Sequence, residues 1–192
     1  MTYVVGSLVA ASTALFVASA VQGRDDIAFG LNVFGHRDAA RPCTDLGSCA
    51  PVLRVCLGWC ALYYQFLFRQ SRGKFTAHQS MVAESKSADA KPPSFAAVKY
   101  GGIGRKYGTL VGDRTVGNMM EQSLPFLVFL GLHAAFVDVT GAAQFGWWWL
   151  LTRAIYPACF ARGIPMLFVS TLPGYFFIAM LAKPIVVAAL LQ

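Results

Sequence analysis

The chain has 192 residues, of which 56% are hydrophobic and only 13% are charged, and its mean hydropathy is +0.53. This composition excludes an ordinary soluble domain, in which about a quarter of the residues are charged. The net charge of +7 would suit nucleic acid in a soluble protein, but here apolar residues form runs of about 20, enough to cross a bilayer. We therefore expect a membrane protein with no nucleic-acid partner.

Five apolar runs predict five transmembrane helices. In chain order they cover Tyr3 to Gln22, Pro51 to Phe68, Thr115 to Val137, Ala142 to Phe160 and Ile164 to Leu191. Closed β-barrels also span bilayers, but they need alternating segments of about 10 residues, which this sequence lacks. The predicted fold class is an all-α, multi-pass membrane protein.

The first run has small residues near its end, as a cleaved signal peptide does, at Ala18 and Ala20. It lacks the basic residues that precede the apolar part of a signal peptide. We therefore interpret Tyr3 to Gln22 as a retained helix that packs through small residues, with a lipid-facing anchor as the alternative.

Basic residues favour one side of the membrane. Five helices place the segment between the second and third runs on the same side as the N-terminus and Arg162. That segment contains Arg69, Arg72, Lys74, Lys86, Lys91, Lys99, Arg105 and Lys106, whereas the opposite side has Arg24, Arg37 and Arg41. The positive-inside rule then places the N-terminus inside and the C-terminus outside.

The one long polar stretch, Ser71 to Gly112, is predicted to be a loop, with Ser80 to Pro93 as a flexible linker. Its end, Val98 to Gly112, is rich in glycine and basic residues. A phosphate-binding loop would need the Walker pattern and a preceding strand, and both are missing. A surface loop whose basic residues meet anionic lipid headgroups is the better interpretation.

The five cysteines fall into two groups. Cys56, Cys60 and Cys159 lie within apolar runs, where a thiol behaves as a small hydrophobic group. Cys43 and Cys49 lie six residues apart in a polar loop, and in an oxidising compartment they would pair, but the sequence leaves both the bonded and the free state open. No spacing of cysteine and histidine predicts a metal site.

The third and fourth runs carry charged residues at the ends that meet. Arg114, Asn118 and Glu121 lie on one helix face, and Arg153 and Tyr156 share a face of the next helix. A short turn, Asp138 to Gly141, makes these helices antiparallel neighbours. Because ionisable groups in a span normally face protein or a polar cavity, the pattern predicts a cationic pocket for a small anionic, peptide-like ligand. The alternative is an internal network that only holds the helices together.

The order of these residues resembles the MAPEG family of membrane glutathione and eicosanoid proteins. The family's second helix carries an arginine, an asparagine four residues later and a glutamate three further, as Arg114, Asn118 and Glu121 do. Its third helix carries an arginine followed three residues later by a tyrosine, as Arg153 and Tyr156 do. The resemblance covers residues 51–192 and implies a four-helix transmembrane bundle, to which residues 1–50 add one N-terminal transmembrane helix and a polar loop.

The resemblance implies a homotrimer that holds glutathione between subunits through Arg114, Asn118, Glu121, Arg153 and Tyr156. Several positions depart from the family pattern: Val116, Gln122, Phe160 and, most importantly, Leu167. In leukotriene-synthesising members an arginine at the last position stabilises the glutathione thiolate. Arg153 or Arg162 would then have to supply the catalytic cation.

Two functions follow as hypotheses. The first is a glutathione transferase or peroxidase that acts on lipophilic substrates delivered from the bilayer. The second is a non-catalytic subunit of a large organellar respiratory or photosynthetic membrane complex, favoured by the additional helix and the altered pocket positions. Both imply bound lipids and an integral membrane location, in the endoplasmic reticulum, the mitochondrial inner membrane or a plastid membrane.

Overall fold

A computed structural model describes residues 42–190, except for the side chains of residues 106 and 107. The helices are α1 (Ala50–Ser87), α2 (Phe95–Tyr100), α3 (Thr109–Phe136), α4 (Val139–Ala161) and α5 (Ile164–Leu190), with the short 3-10 helix η1 (Ile103–Tyr107) before α3. This part of the chain contains helices and no strand, which confirms the all-α prediction. The predicted helix from Tyr3 to Gln22 lies outside the described residues.

Three helices, α1, α3 and α5, are long and apolar enough to cross a membrane. They correspond to the second, third and fifth predicted spans. The fourth predicted span coincides with α4, which is not among these three helices; it contains Gln144, Arg153 and three consecutive tryptophans, and all of these lower its mean hydropathy. The described chain is therefore compatible with a membrane protein, and its complete multi-pass topology stays a prediction.

The long helices pack against one another, with α4 in contact with α1, α3 and α5. At their centre Trp149 of α4 stacks on Phe126 of α3, with ring centroids 3.8 Å apart. Gly146 lets α1 approach α4 closely, because a Cβ there would lie 2.7 Å from Val55 Cγ1. Asp138 caps α4 by accepting hydrogen bonds from the backbone N–H groups that follow it. The predicted antiparallel pair of α3 and α4 is thus present.

The prediction of a loop from Ser71 to Gly112 is wrong for most of that segment. Helix α1 continues to Ser87, α2 and η1 follow, and α3 begins at Thr109. The flexible-linker interpretation of Ser80 to Pro93 is likewise wrong up to Ser87. Polar residues such as serine, lysine and glutamate suit a solvated helix as well as a loop, and the extension also has contacts to α2, such as Phe75 against Phe95.

A disulfide joins Cys43 and Cys49 just before α1. Of the two states that the sequence leaves open, the structure therefore has the bonded one. The Cys43 N–H donates to the carbonyl oxygen of Ala134 at 2.9 Å, so this turn is tied to the end of α3. Asp45 accepts a backbone hydrogen bond from Ser48 at 2.9 Å. That bond, together with one from the Thr44 hydroxyl, lowers the pKa of the Asp45 carboxyl.

Candidate functional site

The Arg153 side chain is the centre of the candidate site. It is 1% exposed, and its guanidinium bonds to two other helices. Nη1 donates to Asn118 Oδ1 of α3 at 2.6 Å, and Nη2 donates to the carbonyl oxygen of Ser170 in α5 at 2.8 Å. The guanidinium carbon also lies 5.6 Å from the centroid of the Trp149 ring, within the range of a cation–π contact. Arg153 therefore connects α3, α4 and α5.

Helix α5 is shaped to receive this guanidinium. A Cβ on Gly174 would overlap Arg153 Nη2, so only glycine leaves room for it. Pro173 lacks an N–H and interrupts the backbone hydrogen bonds of this part of α5. The Ser170 hydroxyl, fully buried, donates to the carbonyl oxygen of Thr152 at 2.6 Å and fixes α5 against α4. Small residues of α5 therefore leave the space that the Arg153 guanidinium occupies.

The remaining predicted residues surround Arg153 at different depths. Asn118 is 8% exposed and Tyr156 is 3% exposed, whereas Arg114 and Glu121 lie on the surface of the single chain. Arg114, Arg153 and Glu121 lie close enough to Tyr156 for their charges to act on its hydroxyl. All five residues predicted to bind glutathione therefore lie in one neighbourhood. Within residues 42–190, Asn118 is buried against protein, and for the exposed Arg114 and Glu121 the orientation toward protein stays a prediction.

Arg162, the second residue predicted to be catalytic, lies apart from the buried group. It is exposed at the end of α4, and its guanidinium donates to the carbonyl oxygen of Ala158 at 3.4 Å. Leu167, where the resemblance would have an arginine, is partly buried near the start of α5. The deepest cation of the site is therefore Arg153.

The sequence interpretation missed several residues of the site. Ser170 and Gly174 occupy successive turns of α5, and this spacing of small residues is typical of close helix contacts in membranes. Gln122 is buried next to the predicted Glu121, and neither end of its amide has a hydrogen-bond partner within residues 42–190. Because buried polar groups are normally paired, the Gln122 amide would suit a water molecule or a polar ligand group as its partner.

The charge of the site is positive and not neutralised inside the described chain. The hydrogen-bond acceptors of Arg153 are an amide oxygen, a hydroxyl and a carbonyl oxygen, all neutral. The ion pair recorded within residues 42–190 joins Lys74 and Asp113, away from these groups. A buried guanidinium with neutral partners favours the approach of an anion.

Comparisons of the chain with protein-family models, curated proteins and solved structures find no match. The MAPEG resemblance therefore stays a prediction from the residues named in the sequence.

Proposed function

We propose that this chain binds a small anionic, peptide-like ligand at the Arg153 site, with glutathione as the leading candidate. The observation that supports this most strongly is the buried guanidinium of Arg153, which has neutral hydrogen-bond partners and lies 5.8 Å from the centroid of the Tyr156 ring. Such a cation is costly in an apolar bundle unless an anion compensates it. A carboxylate of the ligand would supply that compensation.

The chemistry of glutathione matches the mixture of groups around Arg153. Glutathione has two carboxylates and one ammonium group, and the site has two arginines and one glutamate. Arginine binds carboxylate with strong, charge-assisted hydrogen bonds, so Arg114 suits a carboxylate directly, while the buried Arg153 contributes its positive charge. Glu121 suits the ammonium group, and Asn118, Tyr156 and Gln122 suit the peptide groups.

A second subunit would complete this site. Arg114 and Glu121 lie on the outer surface of α3, in a helix long and apolar enough to span the membrane. Charged groups facing lipid cost several kcal/mol. A homotrimer of the MAPEG type would cover them with a neighbouring copy, and a larger complex would cover them with other subunits.

Binding and thiol activation are separable in this proposal. A free thiol with a pKa near 8.5 is only a few per cent thiolate at neutral pH, so an enzyme of this kind must place a cation at the sulfur. Leu167 supplies none, Arg153 already uses its guanidinium on Asn118 and Ser170, and Arg162 lies at the end of α4. We therefore propose that any transferase or peroxidase activity is weak, with Arg153 or Arg162 as the residue that would carry it.

Calorimetric titration of the purified, full-length protein with glutathione tests the binding proposal. We expect saturable binding that weakens about tenfold or more in Arg114→Gln, because a hydrogen bond to a charged group contributes about 1.5–3 kcal/mol. Arg54→Gln is the matched control. Arg54 is an exposed arginine near the start of α1, which lies beside the end of α3, whereas Arg114 lies near the start of α3. Equal binding by the two variants would remove Arg114 from the site, and no binding by the natural protein would overturn the proposal.

The alternative proposal is a structural subunit of a membrane complex. It is favoured by the same bonds from Arg153 to Asn118 and Ser170, because they join three helices without any ligand. A protein that purifies as one copy within a large assembly and gives no heat with glutathione would support this alternative.

A further inference from the structure

Helix α2 and η1, residues 95–107, form a compact unit that we call the interfacial platform. It is fixed to the extension of α1 at several points. Lys74 Nζ donates to the carbonyl oxygen of Lys99 at 2.9 Å, and His78 Nε2 lies 3.1 Å from the carbonyl oxygen of Pro93. Val98 of α2 is fully buried. The platform therefore has a defined position along α1.

Glycines give the platform its shape. Gly102 and Gly108 flank η1 with positive φ angles of 69° and 79°, a conformation that other residues adopt only with strain. A Cβ on Gly104 would lie 3.1 Å from side-chain carbons of both Val98 and Thr109. These glycines account for the glycine-rich sequence without a phosphate-binding loop.

The contacts along α1 give the height of the platform above the hydrocarbon. We place the polar boundary at Gln70, because Phe68 is the last apolar residue of the predicted span and Gln70 Nε2 donates to Asp113 Oδ1 of α3 at 2.8 Å. A helix rises 1.5 Å per residue, so Lys74 lies about 6 Å and His78 about 12 Å beyond Gln70. The polar headgroup layer is about 5–8 Å thick on each side of a bilayer. The end of α2, at the level of Lys74, therefore lies within that layer.

The exposed surface of the platform combines apolar and basic groups. Tyr100 is 78% exposed and Ile103 is 43% exposed, and the Lys99 and Arg105 side chains are exposed beside them. Aromatic residues with neighbouring lysine or arginine are typical of membrane interfaces. The sequence has no acidic residue between Asp89 and Asp113. Asp113 is already paired with Lys74 at 2.8 Å.

We propose that the interfacial platform is a binding site for the headgroups of anionic phospholipids. Lys99 and Arg105 contact the phosphates, while Tyr100 and Ile103 insert between the headgroups. The height of the platform favours lipid over a soluble partner, because a surface in the headgroup layer already faces lipid. This site is separate from the Arg153 site, and its function does not depend on glutathione.

The lipid selectivity of the full-length protein tests this proposal. The protein is reconstituted in neutral lipid with a trace of spin-labelled phosphatidylserine or phosphatidylcholine, and the motionally restricted fraction of each gives their relative association. We expect a preference for phosphatidylserine of up to about fivefold per basic residue at low salt. The preference falls by up to about fivefold for each charge removed in Lys99→Gln/Arg105→Gln. It falls toward unity in 1 M salt, where screening acts over about 3 Å.

The matched control is Lys86→Gln/Lys91→Gln, which removes the same charge. Lys86 lies sixteen residues beyond Gln70 on α1, about 24 Å along the helix, outside the headgroup layer. We expect this variant to keep the preference. An unchanged preference in the platform variant, or an equal loss in the control, would overturn the proposal.

A photo-crosslinking amino acid at position 100 gives a second readout that leaves every basic residue in place. In mixed membranes we expect adducts at position 100 whose added mass is that of the anionic lipid. We expect none at position 82, which lies farther from the bilayer along α1. Adducts that match the bulk lipid composition, or adducts to a second protein chain, would contradict the proposal.

Discussion

The substitution Gly174→Ala tests how Arg153 is held in the bundle. The added methyl group would overlap Arg153 Nη2, which donates to the carbonyl oxygen of Ser170 at 2.8 Å. The guanidinium would have to move away from α5 or push α5 outward. Because Arg153 is 1% exposed, no solvent can replace the lost hydrogen bond.

The expected loss of stability is about 2–4 kcal/mol. A lost hydrogen bond to a charged group costs about 1.5–3 kcal/mol and overpacking about 1–3, while the higher helix propensity of alanine offsets about 1, so the limits are about 1.5 and 5 kcal/mol and the middle of the range is about 2–4. Unfolding of the purified protein by sodium dodecyl sulfate in mixed micelles, followed by circular dichroism at a helical wavelength, measures the difference.

Gly131→Ala provides the control for helix propensity alone. Gly131 lies in α3, and a Cβ there meets nothing within 4 Å. We expect this variant to match or slightly exceed the natural protein in stability. If Gly174→Ala were as stable as Gly131→Ala, the guanidinium would not occupy the space against α5, and the description of the site would be wrong.

Three further predictions concern the turn before α1 and the topology. Reduction of the Cys43–Cys49 disulfide should lower stability by about 2 kcal/mol, as expected for a short closed loop, and thermal unfolding with and without reductant measures it. The lowered pKa of Asp45 means that its contribution to stability is complete above its ordinary value of 3.8 and is lost as the pH falls through the lowered value. The difference in unfolding temperature between the natural protein and Asp45→Asn should therefore shrink below pH 3.8. Labelling at Leu46 and Ser85 should occur from opposite sides of a sealed membrane, and labelling of both from one side would contradict the predicted topology.

The long helices were predictable because their signal is local. Apolar runs of about 20 residues identify spans regardless of what they pack against, and α1, α3 and α5 are confirmed as long and apolar enough. The end of α1 was not predictable in this way. Residues 69–87 are polar, and they are helical in contact with α2 and α3, through pairs such as Lys74 with Asp113 that are distant in sequence.

The sequence predicted the charged members of the site and the two polar residues, Asn118 and Tyr156, that share their helix faces. Helical spacing placed Arg114, Asn118 and Glu121 together, and the antiparallel turn brought Arg153 to Asn118. Ser170 contributes a backbone carbonyl and Gly174 contributes the absence of a side chain. Neither property is visible in residue type alone, because it depends on how closely α5 approaches α4.

The most direct test of the central claim is a comparison of three ligands in one calorimetric titration series. Glutathione, S-methylglutathione and the dimethyl ester of glutathione differ in thiol and in carboxylate charge. If the Arg153 site recognises the carboxylates and does not activate the thiol, the first two should bind equally and the ester at least about tenfold more weakly. Absence of saturable binding by glutathione, or equal binding of the ester, would contradict the claim and leave Arg153 as a structural link between helices.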